Sequence, residues 1–140
     1  MPTNLHAMAA SLGPDGRIYV AGGTSSTLVH TDAIYIYDPR GDRWSSGLRL
    51  PFGQECAAAT FTSGEEGEVI FLGGWPDRRK IPIASVVALN PKRQTWRSLP
   101  SLPIATTAAN AVTIRETNSA NAVYLLGGMP GSTELRKLSL

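Results

Sequence analysis

Val69-Ile70-Phe71-Leu72-Gly73-Gly74 is an apolar run closed by two glycines. β-Branched and aromatic residues in so short a run predict a buried strand. The glycine pair behind it supplies a backbone that can turn sharply or let a neighbour approach closely. The pattern stands again at Ile18-Tyr19-Val20-Ala21-Gly22-Gly23, 51 residues earlier, and at Val123-Tyr124-Leu125-Leu126-Gly127-Gly128, 54 residues later. Three such runs at nearly one period make a repeat, and the repeat governs how the rest of the chain is read.

Other residues keep the same period. Tyr37-Asp38-Pro39 is followed by Trp44, and Leu89-Asn90-Pro91 by Trp96, so Asp38 to Trp44 and Asn90 to Trp96 are both six steps. Upstream of the glycines, the segments beginning at His6, Glu55 and Thr107 align at offsets of 49 and 52 residues. Each unit is therefore expected to hold four short strands, in the first near residues 6–11, 17–21, 33–37 and 43–46. Gly13-Pro14-Asp15-Gly16 is a turn signal between the first two. Residues 33–37 alternate poorly and read as buried on both faces. No helical period is found.

A period of about fifty residues, four strands per unit, a Gly-Gly after the second strand and a Trp about twenty residues later together resemble the kelch repeat. The resemblance implies an all-β chain of kelch-type β-propeller blades, each of four antiparallel strands. Here they form a three-unit arc over residues 1–140, with units at about 6–50, 55–102 and 107–140. In such blades the small residues of the first strand let neighbours converge at the axis, which suits the alanines at 57–59 and 108–109, and the Trp of the fourth strand packs between blades. The third unit stops where its Tyr-Asp-Pro and Trp should follow. Closed propellers have about four to eight blades, so the expectation is an incomplete propeller. It is either a fragment of a longer protein or an arc that self-associates through its open faces.

Composition narrows the function. Thirteen basic residues against eleven acidic ones give no global field for nucleic acid or an anionic membrane. No apolar stretch approaches the roughly 20 residues of a membrane helix, and residues 1–5 have no secretory pattern. One cysteine excludes an intramolecular disulfide and is compatible with a reducing compartment, so an intracellular, cytoplasmic location is expected.

In a four-stranded antiparallel meander, the loops after the second and fourth strands lie at one end. Residues 24–32, 50–54, 75–82, 102–106 and 129–133 should thus share a face, with His6, Glu55 and Thr107 at the starts of the inner strands around its centre. The acidic loop at 65–68 falls on the opposite side. Arg78, Arg79 and Lys80 follow Trp75 on the shared face, and three adjacent cations can grip carboxylate or phosphate groups. The competing reading is a solvated loop tip. Kelch-type adaptors often carry arginines at the inner-strand starts to hold acidic peptides, whereas here those places hold Phe52-Gly53-Gln54-Glu55 and Ile104-Ala105-Thr106-Thr107.

His6 and Glu55 occupy equivalent places in successive units. They could in principle do acid–base chemistry or form half a metal site, but polar side chains at strand ends need no such task. Both are carried as partner contacts rather than catalytic groups. Cys56, among alanines, reads as a small buried hydrophobe. Trp44 and Trp96 read as core, and Trp75, outside the repeat, as an exposed recognition residue. Copper oxidases resembling galactose oxidase and sialic acid epimerases are built on kelch-like propellers, yet no catalytic constellation, metal-ligand spacing, phosphate loop or cofactor motif is found. The expected function is a protein–protein interaction module, a substrate adaptor or scaffold, with Trp75, Arg78, Arg79, Lys80, His6 and Glu55 as candidate contacts and a protein or acidic peptide as ligand. The alternative is a carbohydrate-binding or carbohydrate-active propeller in which Trp75 stacks on a sugar.

Overall fold

A computed structural model describes residues 1–76, 81–116, 120–130 and 135–139. They form three antiparallel sheets side by side, with no helix and without closing into a ring. The first blade has the order β2 (Ala9–Leu12), β3 (Ile18–Ala21), β5 (Ile34–Asp38), β6 (Arg43–Ser46). The second is β7 (Ala58–Phe61), β8 (Val69–Leu72), β9 (Val86–Asn90), β10 (Thr95–Leu99), and the third is β11 (Thr107–Arg115), β12 (Asn121–Met129), β13 (Arg136–Ser139). A two-residue ribbon, β1 (Leu5–His6) with β4 (Thr24–Ser25), sits at one end of the first blade. Register repeats with the sequence: Leu12 faces Ile18, Phe61 faces Val69 and Thr113 faces Val123.

The third strands are joined to the fourth by turns that the side chains of Asp38 and Asn90 build. Asp38 Oδ1 accepts the N–H groups of Arg40 and Gly41, and Asn90 Oδ1 accepts those of Lys92 and Arg93. A short polar side chain that captures the backbone two and three residues on, with Pro next to it, specifies such a turn. Asp42 and Gln94 then take positive φ, at 46° and 56°.

Packing lies between blades. One apolar cluster joins Tyr19, Ala21, Ile34 and Ile36 of the first blade to Val69, Phe71, Val87 and Leu89 of the second. The other joins Ile70, Leu72, Val86 and Ala88 of the second to Val123 and Leu125 of the third. This arrangement corrects one expectation. In β5 only Ile34 and Ile36 are buried while Tyr35 and Tyr37 are half-buried, whereas every residue of the equivalent β9 is buried. The second blade has a neighbour on both sides and the first has one, so an identical pattern buries one face or two.

Hairpin turns occupy the opposite end, where charges are paired. Arg97 donates twice to Glu68, at 2.6 Å each, Arg93 pairs with Glu66 at 2.9 Å and Lys137 pairs with Glu116. Three carboxylates lie below their ordinary range: Asp38 through the Arg40 and Gly41 amides, Glu66 through Arg93, and Glu116 through Lys137. A carboxylate whose folded pKa is depressed adds stability that is complete above its unfolded value, 3.8 for Asp38 and 4.5 for the two glutamates, and is lost as pH falls through the lower folded value. The melting temperature is therefore expected to hold from neutrality to about pH 4.5 and then to fall. Combining Asp38→Asn, Glu66→Gln and Glu116→Gln should flatten that acid slope. Thermal unfolding followed against pH checks this, and an unaltered slope in the triple variant counts against it.

Candidate functional site

The connections from β3 to β5, β8 to β9 and β12 to β13, together with those between blades, emerge at one end of the sheets, as antiparallel strand order requires. They rest on a backbone scaffold set by the glycine pairs. Gly23 N–H donates to Gln54 O at 2.7 Å and Gly74 N–H to Thr106 O at 2.9 Å, so each pair ties its own blade to the lead-in strand of the next. Gly22 and Gly73 have positive φ, 67° and 64°, and a Cβ on either would fall 2.3 and 2.1 Å from those same carbonyl oxygens. Glycine is required because the neighbouring blade's backbone occupies the place of a side chain.

A second set of ties was not legible in the sequence. Ala7, Cys56 and Ala108 share one position in the three units, and all have positive φ, at 55°, 53° and 52°. Cys56 N–H donates to Ala7 O at 2.7 Å and Ala108 N–H to Cys56 O at 2.8 Å, forming a hydrogen-bond file across the inner strands. Ordinary residues rarely hold this conformation, and nothing in Ala or Cys announces it. The expected continuous strand at 6–11 is thereby broken into β1 and β2. Cys56, read as buried, is instead half-buried and lines a groove of about 370 Å³ between the alanine-rich inner strands.

His6 and Glu55, at equivalent places in successive units, have different surroundings. Glu55 is buried, accepts a hydrogen bond from Thr24 Oγ1 and lies 3.5 Å from His30 Nε2, whereas His6 is exposed. His30 and Thr24 come from the β3–β5 connection and Glu55 from the lead-in to the second blade, so the cluster pins the loop of one blade onto the next. The signal that could have found His30 is its place in a connection whose neighbours are polar and β-branched. Trp75 is half-buried and its backbone bridges that of Glu55, so it is not the freely exposed aromatic expected. Trp96 packs against the cluster between the first two blades, 6.0 Å from Phe71. Trp44 stands half-buried beside Tyr37 at 5.1 Å. Arg78, Arg79 and Lys80 lie outside the described residues.

Among the described residues, this end exposes the large hydrophobic side chains Leu28, Val29, Ile81, Ile104, Met129 and Leu135, each between 47% and 62% accessible. The charges described there are mostly engaged. Asp32 pairs with Arg49, Glu55 is buried, and Arg136 donates to Thr106 Oγ1 at 3.1 Å. Among the described residues no three His, Cys, Asp or Glu side chains converge where they could hold a metal ion.

Comparison with known proteins agrees with this geometry. Residues 6–47 match the model of the Kelch motif. The chain is 28% identical to Kelch-like protein 35 of Mus musculus over 113 residues, which are 81% of this chain and 17% of that protein. It is 31% identical to N-acetylneuraminate epimerase of Brucella suis over 72 residues, 51% of this chain and 19% of that protein. It is 27% identical to Beta-scruin of Limulus polyphemus over 112 residues, 77% of this chain and 12% of that protein. The chain thus spans less than a fifth of the length of each of these relatives. With the Kelch motif matched over residues 6–47, blades of antiparallel strands in repeating register and glycine pairs at the blade junctions, the chain is similar to kelch-repeat proteins.

Proposed function

We propose that the chain is a protein-interaction module that binds a protein or peptide ligand across the loop end of its blades, in the manner of a substrate adaptor or scaffold. The observation that carries this reading is the group of exposed aliphatic side chains, Leu28, Val29, Ile81, Ile104, Met129 and Leu135, gathered on connections of one end. Water-exposed aliphatic groups on loops held by a rigid sheet are the usual material of a binding surface. Arg78, Arg79 and Lys80 belong to the same connection as Ile81 and bias the ligand toward acidic residues beside its apolar ones.

A displayed library of random peptides is the probe. Selection on the chain is expected to enrich peptides that combine apolar and acidic residues. Changing Leu28, Val29 and Ile104 together to Ser should weaken the best peptide about tenfold or more, or about 1.4 kcal/mol. Changing Arg78, Arg79 and Lys80 to Ala should chiefly slow association and reduce its salt dependence. Both sets are exposed or loop substitutions, so the fold should shift by no more than about 0.5 kcal/mol per site. Failure to enrich any peptide, or unchanged affinity in both variants, counts against the reading. The similarity to an epimerase over about half the chain favours a carbohydrate ligand as the second reading, and a glycan array bound in a Trp75-dependent way would replace the first.

A further inference from the structure

Among the described residues, Ala7, Leu28, Asp42, Cys56, Gln94 and Ala108 hold positive φ without being glycine. Five of them gain a contact there. Ala7, Cys56 and Ala108 lie on the hydrogen-bond file between the blades, Asp42 Oδ1 accepts from Tyr37 Oη at 2.8 Å, and Gln94 Nε2 donates to Pro91 O at 2.6 Å. Leu28 differs. Its φ is 59° and it is 62% accessible, so its side chain gains little packing from a backbone conformation that Gly or Asn adopts more easily.

The conformation is imposed by a hairpin inside the β3–β5 connection. Ser25 N–H donates to Val29 O at 3.1 Å and Leu28 N–H to Ser25 O at 2.9 Å, so residues 26–28 form a three-residue loop whose last position calls for a left-handed backbone. The stem is held on both sides. Thr24 and Ser25 pair with His6 and Leu5 along one edge, and Gln54 N–H donates to Thr31 O at 3.3 Å along the other. Buried Glu55 accepts from Thr24 Oγ1 and lies 3.5 Å from His30 Nε2, which fixes the base. What the hairpin offers to a second molecule is its tip, Leu28 with Val29 at 53% accessible. We infer that Leu28 is the anchor of the ligand surface, a leucine held out on a fixed hairpin to fill an apolar pocket made by the ligand's side chains. The inference rests on the interaction-module reading above. A strained residue persists where its surroundings over-determine it, and such residues gather at ligand clamps. An anchor already fixed in place loses little freedom when it is covered.

Leu28→Asn separates a role in binding from a role in the fold. Asn takes the left-handed conformation readily but cannot fill an apolar pocket, so the melting temperature should hold or rise. Affinity for the best peptide selected on the wild-type chain should fall about tenfold. Leu28→Met keeps an apolar side chain of similar volume and should bind within about twofold of wild type. Leu28→Gly, also at ease with positive φ, replaces the Asn variant if that one does not fold. Equal losses of affinity in the Asn and Met variants, or a melting temperature lowered by Asn and Gly alike, would overturn the inference. So would a peptide that binds Leu28→Asn as tightly as wild type; if the triple Ser variant at Leu28, Val29 and Ile104 still lost that peptide, the interaction reading would stand without its anchor. Failure to select any peptide would overturn both.

Discussion

Gly73→Ala is expected to unfold the protein or to lower its stability by at least about 3 kcal/mol, whereas Gly127→Ala, at the same place in the next repeat, should cost the isolated chain only about 1 kcal/mol. Both glycines have positive φ, 64° and 69°, so both replacements incur the strain of a left-handed backbone. Only at Gly73 does the new methyl group land 2.1 Å from the Thr106 carbonyl oxygen, a backbone atom that cannot step aside without moving the third blade. Moving it breaks the bond from Gly74 N–H to that same oxygen, worth about 1 kcal/mol, and opens the apolar cluster beneath. Urea or thermal unfolding of the two variants side by side measures the difference. Equal losses would mean that the glycine pair serves only the turn, not the junction between blades.

The repeat that carries this contrast was readable because it is local. Hydrophobic runs, glycine pairs and the Asp38 and Asn90 turns are specified within a few residues, so strand order and register follow from the sequence directly. The loop end was placed correctly by the same reasoning, since antiparallel order alone decides which connections share a side. What did not follow was set by neighbours in space. Ala7, Cys56 and Ala108 hold positive φ because each is bonded to the residue one repeat away, and nothing intrinsic to Ala or Cys predicts that conformation. Glu55 meets His30 because the β3–β5 connection folds back onto the second blade and buries both groups. Trp75 was expected to project from the surface, but its backbone pairs with that of Glu55 and the residue is half-buried.

The same dependence on neighbours leads to a second large effect. Phe71→Ala is expected to cost about 3–5 kcal/mol, the usual range for emptying a fully buried aromatic site, while Val20→Ala at the equivalent position of the first blade should cost well under half as much. Phe71 is 1% accessible, lies in the cluster with Ile34 and Ile36 of the first blade, and contacts Trp96 with ring centres 6.0 Å apart. Removing its ring leaves a cavity walled by two sheets whose backbones are already tied to each other, so the site cannot collapse to fill it. Val20 loses fewer carbons, and no blade faces its side of the first sheet in the isolated chain, so solvent and the half-buried Tyr35 and Tyr37 can move into the space. Unfolding free energies of the two variants, taken at protein concentrations where the chain is single, give the comparison. If Phe71→Ala proved no worse than Val20→Ala, the cluster between the first two blades would not be a principal source of stability, and the blades would have to stand largely on their own strand pairing.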